Sequence, residues 1–374
     1  MADKQTLQQE LDRLQEEYAK TKDNKATNKY VGLLRAKMAR VRRSLAERKS
    51  KRGIGFGVKK TGDATVVLVG FPNAGKSSLI NRITDANSKV AEYAFTTLDT
   101  IPGMLDYNGA RIQVLDVPGL IEGAHLGKGA GTQVASVIRI ADLLLFVLDA
   151  TDPEQIYKIM EELALLNIRV NTEKPRVDIE EKSFGGLAVE SNDHKVPDIN
   201  EIRAILREIG VYNGKIIFHS SITGDELVAL LVEKAIYVRG ILALNKIDLL
   251  SESKVEQLRK ELASKLKMQV IPVSMEEGTN IERLKEMIFD NLDIIRIYLK
   301  PKDSEPDFSK PFVLRHSGTV LDLAKGIHSK MAESLRYAYV TGRSAKFRNQ
   351  KVGGEHVLKD GDIVTLVYEK YADA

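Results

Sequence analysis

Eight residues, Gly70-Phe71-Pro72-Asn73-Ala74-Gly75-Lys76-Ser77, limit what this chain can fold into more than any other stretch. They follow an apolar run of strand length, Ala64-Thr65-Val66-Val67-Leu68-Val69, and precede Ser78-Leu79-Ile80-Asn81-Arg82, which reads as the start of a helix. A strand, a Gly-x-x-x-x-Gly-Lys-Ser loop and a helix together form what a polyphosphate cradle needs. The glycines let backbone N–H groups curl around the anion, and the helix N-terminus adds its positive end. Lys76 would reach the β- and γ-phosphates, and the Ser77 hydroxyl would bind Mg²⁺.

From residue 65 onward the pattern alternates strand and helix. Strands are expected at 65–69, 104–107, 111–115, 143–148, 236–244 and 269–273. Asn108-Gly109 between the second and third is a hairpin signal, and helix-length segments separate the others. The expected fold is therefore α/β, a mostly parallel sheet with helices on both faces. Asp152-Pro153 should open a helix over 154–167, with a capping residue ahead of proline at the first helical position.

In such a sheet ligand groups gather at strand ends. Leu115 leads into Asp116-Val117-Pro118-Gly119, where the aspartate suits Mg²⁺ and the glycine N–H is free to sense a γ-phosphate. Leu244 leads into Asn245-Lys246-Ile247-Asp248, and a carboxylate there accepts from the N1–H and 2-amino group of guanine, which adenine lacks. Val273 leads into Ser274-Met275-Glu276-Glu277-Gly278, a turn able to offer a backbone N–H to guanine O6. Phe95-Thr96-Thr97-Leu98 supplies a threonine that can complete Mg²⁺ coordination. Each motif alone is weak; their order and strand-end placement point jointly to a GTP/GDP site and disfavour an ATP-using enzyme.

Residues 70–77, 95–98 and Asp116-Val117-Pro118-Gly119-Leu120-Ile121-Glu122-Gly123-Ala124 resemble the Obg-related GTPases, and specifically their developmentally regulated GTP-binding (DRG) branch. The resemblance covers nearly the whole chain and implies a P-loop GTPase fold. By it, residues 70–77 with Ser78 hold phosphates, Ser77 and Thr97 carry Mg²⁺, and Asn245, Lys246 and Asp248 read the base. Phe95, Thr96, Asp116, Pro118, Gly119, Ser274 and Met275 complete the implied site. Lys76, Thr97, Gly119 and Asn73 are the expected catalytic residues. The implied reaction is hydrolysis of GTP to GDP and phosphate, slow without a partner. Leu120 stands where Ras-like enzymes carry a water-orienting glutamine, and a leucine cannot hydrogen-bond water. His125 is one alternative for that role, the plainer reading being a loop histidine with no assigned partner. Asn73 is another, since the Gly-x-Pro-Asn-x-Gly-Lys form resembles K⁺-stimulated GTPases; the plainer reading is that Asn73 simply shapes the loop.

The flanking regions divide as a basic helical hairpin (1–50), a glycine-rich linker (51–63), the GTPase domain in two parts (64–168 and 236–298), an insert (169–235), a proline-bearing linker (299–310) and a C-terminal module (311–369). Leu7, Leu11, Leu14 and Tyr18, then Tyr30, Leu34, Met38, Val41 and Leu45, fall at helical spacing. The second helix and its tail carry Arg35, Lys37, Arg40, Arg42, Arg43, Arg48, Lys49, Lys51 and Arg52, with Glu47 the one acid among them. That run is either a solvated helix face or a footprint for RNA phosphates. The insert reads as a charged, unpatterned start (173–182), then strand (186–190), helix (199–209), strand (215–219) and helix (225–234), with Ile199, Ile202, Leu206 and Ile209 as the face of a core of its own. It resembles the inserted α+β subdomain of DRG proteins. Residues 311–369 resemble a TGS domain, a β-grasp module. Lys346, Arg348 and Lys351 there are either RNA contacts or an ordinary solvated loop.

Composition bounds the rest. The chain of 374 residues has 43% hydrophobic and 29% charged residues and a net charge of +4. It has no cysteine, which excludes disulfides, thiolate metal sites and cysteine nucleophiles. No apolar stretch approaches the ~20 residues of a membrane span, and the N-terminus lacks an apolar signal core, so a cytoplasmic location is expected. The expected partners are a ribosome or RNA and a DRG-family regulatory protein. Neither membrane nor DNA is expected, and the chain should be a monomer. The function expected is a nucleotide-dependent switch in translation; the alternative is a ribosome- or RNA-binding scaffold in which the nucleotide is mainly structural.

Overall fold

The first strand of the main sheet is buried along its whole length, which is why its sequence is continuously apolar rather than alternating. The computed structural model describes residues 4–21, 28–50, 61–84, 102–116, 130–192, 194–301 and 304–369. In chain order, α1 (Lys4–Lys20) and α2 (Asn28–Ser50) precede β1 (Ala64–Val69) and α3 (Lys76–Ile83). Next come β2 (Pro102–Tyr107), β3 (Ala110–Asp116), α4 (Ala130–Ile138), β4 (Leu143–Asp149) and α5 (Gln155–Leu165). The central part continues through β5 (Ile168–Val170), β6 (Val177–Glu181), β7 (Leu187–Glu190), α6 (Ile199–Glu208), β8 (Gly214–Phe218) and α7 (Gly224–Leu231). It is followed by β9 (Ile236–Asn245), α8 (Glu252–Leu266), β10 (Gln269–Pro272) and α9 (Ile281–Asn291). The last elements are β11 (Ile294–Leu299), β12 (Phe312–Arg315), α10 (Val320–Ile327), α11 (Ser329–Glu333), β13 (Leu335–Thr341), β14 (Gln350–Val352) and β15 (Asp362–Tyr368).

The chain divides into two compact units. One holds residues 58–118, 140–155 and 239–374. Its main sheet runs β10-β9-β4-β1-β3-β2, parallel except for the β2–β3 hairpin. The chain leaves β1 toward β3 on one side and β4 on the other. The C-terminal end of β1 is therefore the switch point where an open α/β sheet presents a ligand crevice. Leu79, Ile80 and Ile83 of α3 and Leu284 and Ile288 of α9 pack on Val66, Leu68, Val114 and Leu145. Each such side chain contributes ~1.5–3 kcal/mol on burial, so α3, and with it the loop before it, is fixed against the sheet.

The other unit holds residues 1–57, 119–139 and 156–238. Its three-stranded sheet runs β6-β8-β7. Ile202, Ile205, Leu206, Phe218 and Leu227 form its core together with Ala36 and Ala39 of α2. The insert does pack a core, with Ile202, Leu206 and Ile209 contributing as expected, but α2 shares in it, and Ile199, expected on its apolar face, is exposed instead. The stretch 173–182 is also corrected. It contains β6, whose Val177 and Ile179 alternate with charged residues and pack inward. Among the basic residues of α2, Arg35 pairs with Glu201 and Asp225, and Arg40 with Glu208 at 3.5 Å. Those two cations serve the packing of α2 on α6 and α7. The turn 22–27 and the side chains of 42–50 lie outside the described residues, as do 51–60.

The C-terminal sheet runs β12-β11-β15-β13-β14. It takes in β11, which the expected boundaries gave to the GTPase domain and linker. Ile295 and Ile297 of β11 are buried in this sheet's core with Val320 and Leu323 of α10. Burial of Ile295 and Ile297 here moves the boundary from the expected 311 to the start of β11, whose first residue, Ile294, still packs in the main-sheet core. Strands β5, β11 and β14 were not anticipated, and helix and strand ends elsewhere shift by up to a few residues.

Candidate nucleotide site

The loop 70–77 leaves β1 in a conformation that its residue types explain. Asn73 (φ 63°) and Gly75 (φ 103°) both take left-handed backbone, which asparagine tolerates and glycine adopts without strain. A Cβ at Gly75 would fall 2.2 Å from the Asn245 amide nitrogen, and one at Gly70 would fall 2.4 Å from the Val147 carbonyl oxygen. Helix α3 begins at Lys76, two residues before the expected start, with Gly75 as a cap that carries no side-chain acceptor. Its first N–H groups are left for another acceptor, and an anion fits that need. Phe71 is half-buried, Ala74 is buried, and Pro72, Ser77 and Ser78 are exposed.

Lys76 folds back on this loop. Its Nζ donates to the Gly70 carbonyl at 2.8 Å and the Phe71 carbonyl at 3.1 Å. Burial lowers its pKa, while the nearby Asp116 carboxylate works the other way. Asp116, at the end of β3, is 7% exposed, and burial pushes its pKa up against the opposing pull of Lys76. Among the described residues its Oδ1 is the buried side-chain polar atom without a hydrogen-bond partner. A buried carboxylate oxygen of this kind, at the β1/β3 strand ends with the Ser77 hydroxyl on α3, fits an oxygen-liganded dication such as Mg²⁺. Phe95, Thr96, Thr97, Pro118, Gly119, Leu120 and His125 lie outside the described residues.

Asn245, at the end of β9, joins two loops. Its Nδ2 donates to the Ala74 carbonyl at 2.9 Å, and its Oδ1 accepts from the Met275 N–H at 3.1 Å. Of the 274–278 turn expected to offer a backbone N–H to guanine O6, the Met275 N–H is thus already engaged with Asn245. Asp248 is exposed on a single 3₁₀ turn, and one of its oxygens accepts from the Ser274 hydroxyl at 2.6 Å. The Ser274 hydroxyl also accepts from the Glu277 N–H at 3.1 Å. The carboxylate keeps acceptor sites for donors arriving from solvent. The structure therefore brings residues 70–78, Asp116, Asn245, Lys246, Asp248, Ser274 and Met275 to the C-terminal ends of the sheet's strands.

Two contributors were not anticipated. Lys246 has left-handed backbone (φ 63°), and its Nζ lies 2.6 Å from Asp149 Oδ2. Asp149 Oδ1 accepts from the Thr151 N–H at 2.9 Å and hydroxyl at 2.7 Å. Burial acts to raise the Asp149 pKa, but these bonds outweigh it and hold the carboxyl below its ordinary value. Its place at the end of β4 was the available signal. Arg82, from α3, donates to the Met275 carbonyl at 2.9 Å and the Glu276 carbonyl at 2.6 Å, which pins the 274–278 turn. No local pattern announces that contact.

Residues 65–182 match the family model described as 50S ribosome-binding GTPase, residues 184–294 the model for the C-terminal region of that domain, and residues 295–368 the TGS domain. The chain is 41% identical over 370 residues to Developmentally-regulated G-protein 3 of Arabidopsis thaliana, covering 97% of this chain and 99% of that one. It is 40% identical over 373 residues to the Developmentally-regulated GTP-binding protein 1 homolog of Dictyostelium discoideum, covering 97% and 99%. With Developmentally-regulated GTP-binding protein 1 of Xenopus laevis the identity is 39% over 361 residues, covering 95% and 97%. A solved structure, the YchF GTPase of Schizosaccharomyces pombe, is 14% identical with a TM-score of 0.47, covering 84% of this chain and 100% of that one. With the strand-end motifs in place around a phosphate-binding loop and relatives matched along nearly their whole length, the chain belongs to the developmentally regulated GTP-binding protein family of P-loop GTPases, with a C-terminal TGS domain.

Proposed function

We propose that this chain binds GTP with Mg²⁺, hydrolyses it to GDP and phosphate, and acts as a nucleotide-dependent switch on ribosomes or RNA. The observation that carries the nucleotide part is Asn245, whose amide ties the phosphate loop at Ala74 to the base-side turn at Met275. A single side chain thereby couples the two ends of the proposed nucleotide site. The description of the matching family model as a 50S ribosome-binding GTPase supports the ribosomal part.

In this reading the N–H groups of the loop and the start of α3 hold the phosphates. Lys76 exchanges the Gly70 and Phe71 carbonyls for β- and γ-phosphate oxygens, a change of acceptor for an ammonium that is already aimed into the loop. Ser77, Asp116 and Thr97 hold Mg²⁺, which neutralises charge on the phosphates. Gly119 reports the γ-phosphate through its N–H. Asp248 accepts from the base, and Ser274 holds that carboxylate in position. Catalysis is then mostly positioning and charge stabilisation. Turnover is slow in the isolated chain and faster with a partner, which includes a DRG-family regulatory protein. K⁺ held by Asn73 contributes to the rate, and the protein works as a cytoplasmic monomer.

Two measurements test this. Asp248→Asn should shift preference from guanine to xanthine nucleotides, because the partner at the 2-position changes from amine to carbonyl; unaltered GTP preference would refute the base-reading assignment. Ribosome co-sedimentation with a GTP analogue, GDP or no nucleotide should depend on the nucleotide. Equal binding in all three would favour the scaffold reading.

A further inference from the structure

Arg82 lies outside every nucleotide-binding motif of this chain and yet grips one of them. It sits in the last turn of α3, the helix whose first residue is Lys76 of the phosphate loop. Its Nε donates to the Met275 carbonyl at 2.9 Å and its Nη2 to the Glu276 carbonyl at 2.6 Å. A planar guanidinium meets two successive carbonyls in one fixed geometry, which a rotating ammonium does not. Leu79, Ile80 and Ile83 anchor the helix in the main core, so the grip has a rigid base.

The backbone of the gripped turn is almost fully engaged. Ser274 N–H donates to the Thr279 carbonyl at 3.3 Å, and Met275 N–H to Asn245 Oδ1 at 3.1 Å. Glu277 N–H donates to the Ser274 hydroxyl at 3.1 Å, and Gly278 N–H to the Ser274 carbonyl at 2.9 Å. The Glu276 N–H has no acceptor among the described residues, and Glu276 is exposed where Ser274 and Met275 are buried. A trans peptide points its C=O and N–H in opposite directions. With the Met275 carbonyl turned to Arg82, the Glu276 N–H in the same peptide plane points away from the guanidinium. The next plane supplies a landmark. Its carbonyl also meets Arg82, and its N–H reaches the Ser274 hydroxyl, which donates to Asp248 Oδ1 at 2.6 Å. The Glu276 N–H is therefore turned to the Asp248 side of the turn.

We propose that Arg82 is a positioning residue for base recognition: by holding the Met275 and Glu276 carbonyls it aims the Glu276 N–H at guanine O6. On guanine, O6 adjoins the N1–H that Asp248 accepts, so a donor beside Asp248 meets it. Lys76 and Arg82 then index the phosphate end and the base end of the nucleotide from one helix. Arg82 itself touches neither. The inference rests on the guanine reading proposed above and assigns the residue that sets its second half.

The test measures affinities of the full chain for GDP, IDP and 6-thio-GDP by competition with a fluorescent GDP analogue. IDP keeps O6 and lacks the 2-amino group. The 6-thio compound keeps both donors and offers sulfur, a poorer acceptor, in place of O6. The native chain should prefer GDP over 6-thio-GDP by about fivefold. Arg82→Met should weaken GDP binding by about fivefold and shrink that preference to within about twofold, while the preference for GDP over IDP stays native. Arg82→Lys keeps the charge and should fall between. A residue that merely supported the fold would lower all three affinities together and leave both ratios unchanged. Native GDP affinity in Arg82→Met, an unchanged 6-thio ratio in that variant, or no 6-thio discrimination by the native chain each overturns the proposal. Failure of the native chain to discriminate GDP from IDP instead removes the guanine reading through Asp248.

Discussion

Lys246 and Asp149 meet across the ends of two neighbouring strands, with Nζ 2.6 Å from Oδ2. The register places Asp149 opposite Asn245, so the carboxylate catches the side chain of the next residue along β9. A left-handed Lys246 has no other local reason to hold its stem in one direction. Asp149→Ala should free it and weaken guanine-nucleotide affinity by about tenfold through faster dissociation, since a hydrogen bond to a charged group contributes ~1.5–3 kcal/mol and this one is partly solvated. Stopped-flow release of a fluorescent GDP analogue reads this directly. Asp149→Asn keeps an acceptor and should fall between. Because the folded carboxyl sits below its ordinary pKa, its contribution to stability is fully present above about pH 4 and is lost as pH falls through the folded value. The thermal-stability gap between native and Asp149→Asn should therefore stay constant through neutral pH and close only in acid.

Asp116 runs the opposite way. Its buried Oδ1 has no partner among the described residues, and burial raises its pKa. The folded state then holds the proton to higher pH than the unfolded chain does. Above that window the cost of burying the charge is fully present; below it the carboxyl is neutral and the cost disappears. Asp116→Asn should raise the melting temperature of the nucleotide-free chain by ~2–4 °C at pH 7, corresponding to about 1 kcal/mol. The gain should shrink toward pH 4. The same variant should lose Mg²⁺-dependent GTP turnover by at least about 100-fold. A melt with and without nucleotide separates the two effects, and a destabilised apo variant would contradict the reading of Asp116.

The site was legible where chemistry is local in sequence. Gly75, Lys76 and Asp116 carry their proposed roles in short motifs tied to strand ends, and an apolar run such as β4 announces itself by composition alone. What escaped depends on partners far along the chain. Arg82 reaches Met275 and Glu276, and Asp149 reaches Lys246, only after the strands have been set in order. Strand β11 reads as apolar whichever sheet it joins; its pairing with β12 and β15 decides its domain. Strand β14, with three residues of which two are polar, has too little pattern to be seen. The basic run of α2 misled in part, because Arg35 answers to Glu201, which lies in another segment.

That pairing carries its own prediction. Glu201 is 6% exposed, and Arg35 Nε also lies 2.9 Å from Asp225 Oδ1 and donates to the Tyr18 hydroxyl at 3.2 Å. Removing the cation alone takes from a buried carboxylate the guanidinium it pairs with, which costs ~3–5 kcal/mol. Arg35→Met should therefore lower the stability of the unit formed by α1, α2 and the insert by about that amount in urea denaturation. Arg35→Met combined with Glu201→Met should recover most of the loss, because an apolar pair of similar volume replaces a desolvated ionic one. Additive losses in the double variant would show that the ion pair is not the coupling.

Asn73 presents two separable demands. Its backbone is left-handed, with φ 63°, and any residue that tolerates this conformation can shape the loop. Its side chain is exposed at the proposed phosphate site, where an amide oxygen is a suitable ligand for K⁺. Glycine meets the first demand without strain and removes the second. If the side chain holds K⁺, native turnover should rise in K⁺ over Na⁺, and Asn73→Gly should keep GTP affinity within about threefold while losing that stimulation. If the residue only shapes the loop, native and Asn73→Gly should hydrolyse GTP equally in both salts. Single-turnover phosphate release in KCl and NaCl at matched ionic strength distinguishes the two, because a purely structural role predicts no difference between the cations in either protein.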